Sequence, residues 1–144
     1  MEPQERTIDH LHLENALSVY FIDRTSLPVA GRCRVRLLIR IPVQPVEAHF
    51  KNFDNPSFAL SRLTSLTGPG PVEFQIVKIR NFIALKDVEE TLNEMKNDFI
   101  RSGLKYLENP GFAAKFIARK YGELCAKELV RRAHEKALAE MEEE

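Results

Sequence analysis

Residues 33–43 read Cys-Arg-Val-Arg-Leu-Leu-Ile-Arg-Ile-Pro-Val. Every odd position from Cys33 to Val43 is apolar. Arg32, Arg34, Arg36 and Arg40 hold even positions, with Leu38 and Pro42 as the exceptions. A side-chain period of two sets alternate residues on opposite faces of a strand. One face of this strand is therefore fit for a core, and the other carries four guanidiniums. Such a strand needs neighbouring strands and a cover for its apolar face. The rest of the chain has to supply both.

Before it, the run Ile8–Leu13 alternates imperfectly and reads as a short strand, after a loose tail over residues 1–7. Ala16–Asp23 reads as a better strand, with Leu17, Val19 and Phe21 on one face and Ser18, Tyr20 and Ile22 on the other. Thr25, Ser26, Pro28 and Gly31 then mark a loop. That short connection has no crossover helix, so the strands on either side of it pair antiparallel. Pro42 has no ladder donor, which places an edge or a bend at that end. Asn55-Pro56 is good helix-entry chemistry for a short helix carrying Phe58, Leu60, Leu63 and Leu66 and ending before Gly68, with an irregular linker as the competing reading of 44–70. Val72–Ile83 reads as a further strand. Its apolar parity switches between Ile76 and Val77, which predicts a bulge or burial on both faces.

From Lys86 the period changes. Val88, Leu92, Met95 and Phe99 recur at helical spacing, with Asp87, Glu89 and Glu90 in the favourable first turn. Glu108-Asn109-Pro110 ends this helix and opens a longer one reaching about Glu140, with Phe112, Phe116, Ile117, Tyr121, Leu124 and Leu129 as its apolar stripe. About 30 helical residues span roughly 45 Å, against a radius of gyration of about 15 Å for a compact chain of this size. The end of that helix is thus expected to project or to meet a second subunit. The fold class predicted is α+β: an antiparallel sheet of three to five strands followed by two C-terminal helices, the last one long. Residues 1–144 are read as a single domain, 1–85 mainly β and 86–144 helical.

The chain carries no net charge, which removes a global bias toward nucleic acid or anionic membrane. Locally, Arg6 and Arg24 stand against Glu2, Glu5, Asp9, Glu14 and Asp23, so the first segment is acidic beside the basic strand. Cys33 and Cys125 have no metal-ligand spacing, and two reduced buried thiols fit a cytoplasmic protein. No signal pattern or long apolar run is visible.

Arg32, Arg34, Arg36 and Arg40 are the candidate anion- or partner-binding residues, since guanidinium forks match carboxylate and phosphate. The plain alternative is a solvated sheet face paired with acidic neighbours. The spacing of Arg36 and Arg40 is that of the Arg-x-x-x-Arg element of cyclic-di-GMP-binding PilZ domains. The Asp-x-Ser-x-x-Gly element that follows in that family is missing here, and its nearest analogue, Asp23–Gly31, comes first, so no membership is assigned. His10 and His12 point the same way in a strand and are weak metal candidates, with no third ligand in sight. No aromatic interleaves the arginines, which disfavours single-stranded nucleic acid. No catalytic motif and no cofactor motif is present. Gly68-Pro69-Gly70-Pro71 has prolines where a phosphate loop needs free N–H groups. The expectation is a non-catalytic binding or assembly module, a homodimer that binds an anionic protein or small ligand through the arginine face. The alternative is a small enzyme or ligand-binding protein with a pocket between sheet and helices.

Overall fold

The structure, a computed structural model, describes residues 5–142. The elements run β1 (Arg6–His12), β2 (Ser18–Asp23), β3 (Arg32–Val43), a 3-10 turn at Glu47–Phe50, α1 (Pro56–Thr67), β4 (Val72–Ala84), a second 3-10 turn at Leu85–Asp87, α2 (Val88–Glu108) and α3 (Phe112–Glu142). The strands form one four-stranded antiparallel sheet in the order β1-β2-β3-β4. The fold is α+β with a long last helix. Residues 1–4 of the expected tail lie outside the described residues, and β1 already begins at Arg6.

The chain divides into two compact units. One contains β1, β2, β3 and the segment Glu73–Phe112. The other contains the segment Gln44–Val72 and α3 from Ala113 onward.

In the first unit, register decides which residues share a face. Phe21 lies opposite Ile39, and both are fully buried. Val19, Val35, Leu37 and Ile41 are equally buried, so the odd-numbered face of β3 is the core, as its alternation predicts. Each such side chain contributes about 1.5–3 kcal/mol on leaving water. Helix α2 covers this face, and its Phe99 meets Phe21 edge to face at 6.0 Å. Thr91, Leu92, Met95 and Leu107 complete the buried side of α2. The helix is tied down at both ends. Arg6 of β1 reaches Asp23 at 3.1 Å and Glu89 in the first turn of α2 at 2.6 Å. Asn15, in the β1–β2 turn, donates to the carbonyls of Leu107 and Asn109 at 2.7 and 3.2 Å, satisfying acceptors that the helix leaves free at its C-terminal end. β3 pairs in register with β2 over Leu37–Arg40, and Pro42 lies beyond that span but still within β3.

Strand β4 departs from expectation. It is not buried on both faces: from Glu73 onward its side chains are exposed or half-buried. Phe82, near the strand's end, has a positive φ of 60°.

The second unit opens with His49 Nδ1 accepting from the Val46 N–H at 3.2 Å, which closes the first 3-10 turn. Asn55 caps α1, its Oδ1 accepting from the Phe58 N–H at 3.1 Å, and Pro56 takes the first helical position. Helix α1 buries Ala59 and Leu63, whereas Phe58 is exposed, contrary to the predicted stripe. Phe50, Phe53 and Tyr121 form an edge-to-face trio with centroids 5.2–5.8 Å apart. Phe116 and Ile117 of α3 are buried, but Leu129 is exposed and does not continue their stripe.

Candidate functional site

The even-numbered face of β3 looks away from α2. Cross-strand register assembles it row by row. His10 of β1, Tyr20 of β2 and Arg40 of β3 form one row. His10 stacks on Tyr20 with centroids 5.0 Å apart. Ile22 and Leu38 form the next row and are both buried, so an apolar pair is embedded among the arginines. Beyond them the Arg24 N–H donates to the Arg36 carbonyl at 2.9 Å, which continues the ladder past β2.

The four arginines do not share one environment. Arg40 sits between two carboxylates: Glu73 Oε2 is 3.2 Å from its Nε, and Glu5 Oε1 is 3.7 Å from its Nη2. The Nε contact lies within ion-pair reach but off the line of a hydrogen bond, so the attraction there is mainly charge. Glu5 also reaches Arg24 at 3.2 Å. The acidic first segment thus neutralises this end of the face. Arg36 is half-buried, and its N–H donates to Thr25 Oγ1 at 3.4 Å. Arg32, Arg34 and Arg36 make no ion pair among the described residues.

Arg32 and Arg34 are the exposed pair, and the turn beside them fixes where they stand. Val29 and Arg32 exchange both backbone hydrogen bonds, at 2.8 and 3.0 Å. Between them Ala30 and Gly31 have φ of 53° and 74°. Two successive left-handed residues closed in this way match the tight primed turn that suits the twist of a hairpin. The expected loop is therefore the tip of an extended β2–β3 hairpin, with the Ser26 N–H donating to the Arg34 carbonyl at 3.2 Å.

Around this tip lies an open cavity of about 370 Å³, lined among others by Leu27, Val29, Arg32, Cys33, Arg34 and Phe82. Val29 is 78% exposed and Phe82 83%. Singly exposed apolar side chains are ordinary, but here they gather beside two guanidiniums that make no ion pair among the described residues. The cavity lining offers hydrogen-bond donors and apolar area, with no carboxylate and no imidazole among its residues. It suits recognition of an anionic group that carries an apolar neighbour.

The histidine pair is placed differently. The rings of His10 and His12 meet edge to face at 4.6 Å, and His12 Nδ1 lies 3.1 Å from Ser18 Oγ. Among the described residues no group of three or more His, Cys, Asp and Glu side chains converges as a metal site. On the other side of the sheet, a hollow of about 220 Å³ between β4 and α2 is lined by Lys78, Ile79, Arg80, Met95, Asp98, Phe99 and Ser102. Arg80 there pairs with Glu94 and Asp98 at 3.3 and 3.4 Å. This hollow gathers none of Arg36, Arg40, His10 and His12.

Sequence reasoning singled out all four arginines but missed Phe82, Leu27 and Val29. Leu27 and Val29 were two apolar residues in a polar loop. No described helix is long and apolar enough to cross a membrane. Comparison with family models, curated proteins and solved structures returns no match.

Proposed function

We propose that this protein is a non-catalytic binding and assembly module of the cytoplasm, a homodimer that takes an anionic protein partner at the Arg32–Arg34 end of its arginine face. One observation carries the reading. Arg40 is neutralised by Glu5 and Glu73, whereas Arg32 and Arg34 stand exposed beside Phe82, Leu27 and Val29 and make no ion pair among the described residues. Guanidinium forks beside an exposed aromatic match an acidic peptide segment bearing an apolar side chain, because charge-assisted hydrogen bonds orient it and the apolar contact adds affinity. The two cysteines are free thiols, Cys33 buried and Cys125 half-buried, which agrees with a reducing compartment.

The test is fluorescence anisotropy with a labelled Glu-rich peptide containing one Phe, against the same peptide with Lys for Glu. The acidic peptide is expected to bind and to weaken with salt. Arg32→Glu with Arg34→Glu should lower its affinity at least about tenfold, equivalent to about 1.4 kcal/mol, while circular dichroism stays unchanged. Equal binding of both peptides, or an unaffected double variant, would remove this site from the reading.

A further inference from the structure

We infer that the C-terminal part of α3 is the self-association surface, pairing antiparallel with the same segment of a second copy. The inference rests on the homodimer reading above and names its surface. From Leu129 to Glu142 every residue is exposed, including the large apolar side chains Leu129, Val130, Leu138 and Met141. At about 100° per residue, Leu129, Val130, Ala133, Ala137 and Met141 fall within an arc of roughly 120°. The buried stripe of the first half of α3, through Phe116 and Ile117, centres roughly 130° away around the helix. The exposed stripe is therefore a second apolar face and not a frayed continuation of the first.

The opposite side of the same segment is occupied. Arg131 bridges Glu128 and Glu135 at 2.5 Å each, and Arg132 reaches Glu128 at 3.1 Å. Those charges serve the helix itself, and among residues 129–142 the one charged side chain within the apolar arc is Glu140, beside Leu129. Small Ala133 and Ala137 lie along the middle of the arc, which lets two helix backbones approach closely, with Leu129 and Met141 toward its ends. In an antiparallel pair centred near residue 135, Leu129 meets Met141 of the second copy and Ala133 meets Ala137, an isologous arrangement in which one patch complements itself.

Charge selects the direction. Residues 127–136 carry Lys127, Arg131, Arg132 and Lys136 against Glu128 and Glu135, so they are net basic. Residues 137–142 carry Glu140 and Glu142 and no base. Antiparallel copies place the basic stretch of one beside the acidic stretch of the other. Parallel copies would set like charges side by side.

Multi-angle light scattering and sedimentation equilibrium on the full chain test this at micromolar concentration. The expected result is a dimer that Leu129→Glu with Met141→Glu converts to monomer, while Ala139→Glu on the charged side leaves it intact. Helicity by circular dichroism serves as the control for folding. The dissociation constant of the wild-type dimer should rise roughly threefold or more on raising salt from low to high ionic strength, as screening weakens the complementary charges. A dimer that survives the double substitution overturns this surface and leaves self-association standing. A wild-type monomer overturns both. A dimer tightened by salt overturns the antiparallel direction.

Discussion

Tyr20 stands directly opposite Arg40 across the β2–β3 ladder, and the guanidinium beside it is held between Glu5 and Glu73. Arg40 is thus part of the sheet's own charge balance, although the strand pattern ranks it with Arg32 and Arg34. Arg40→Ala leaves two glutamates without their shared cation. The expected cost is about 1 kcal/mol, modest because the guanidinium is partly open to water. Acidic-peptide affinity should not change. Urea denaturation reads the first and anisotropy the second; Arg34→Ala should show the reverse pattern.

Phe82 gives a case in which stability and binding move in opposite directions. A non-glycine residue at φ 60° carries a strain of about 1–2 kcal/mol, and at 83% exposure its ring adds little packing. Phe82→Gly should therefore stabilise the fold by up to about 1 kcal/mol while weakening peptide binding. Phe82→Ala keeps the strain and loses only the ring, so its binding should fall without the gain. Paired thermal melts and anisotropy curves separate the two effects.

Two phenylalanines, one in β2 and one in α1, should respond very differently. Phe21 is fully buried against Phe99 and opposite Ile39. Phe21→Ala should cost about 3–5 kcal/mol. Phe58 lies on the open side of α1, and Phe58→Ala should stay within about 0.5 kcal/mol. Urea midpoints at constant slope measure both.

His49 should make the fold sensitive to mild acid. Burial lowers its pKa below the ordinary 6.5, and its Nδ1 accepts from the Val46 N–H, a role only the unprotonated nitrogen can fill. The unfolded chain therefore binds this proton more readily than the folded one. Stability from this group is intact above pH 6.5 and falls as pH drops through 6.5 toward the lowered folded value. His49→Gln should flatten that part of the profile, read as melting temperature against pH.

The elements most legible in the sequence were those whose periodicity spoke for itself. The strict alternation of Cys33–Val43 located β3 and its buried face. The four-and-three spacing of Val88, Leu92, Met95 and Phe99 located α2 and the side it buries. Asn55-Pro56 located the start of α1. What periodicity could not supply was the environment of identical residues. Arg32, Arg34, Arg36 and Arg40 look alike along the strand, but Glu5 and Glu73 reach only the last of them, and Glu73 comes from a strand far along the chain. Phe82 likewise reads as one more strand aromatic until its backbone angle turns it outward. Leu129 reads as the continuation of a core stripe when apolar residues alone are counted, but it follows Leu124 by five residues, which turns it to a different side of α3.

The interleaving of the two units has a consequence for synthesis on the ribosome. The chain leaves the sheet at Val43, builds the 3-10 turn and α1, and returns to the sheet at Val72. The first three strands therefore emerge with one side of β3 still unpaired and their apolar face uncovered until α2 follows. The second unit must wait longer, since α1 is made well before α3. Neither unit can finish before the other has begun, so a nascent chain holds exposed Phe21, Leu37 and Ile39 for the time needed to make Gln44–Glu108. Shelter during that interval is a requirement written into the order of the segments.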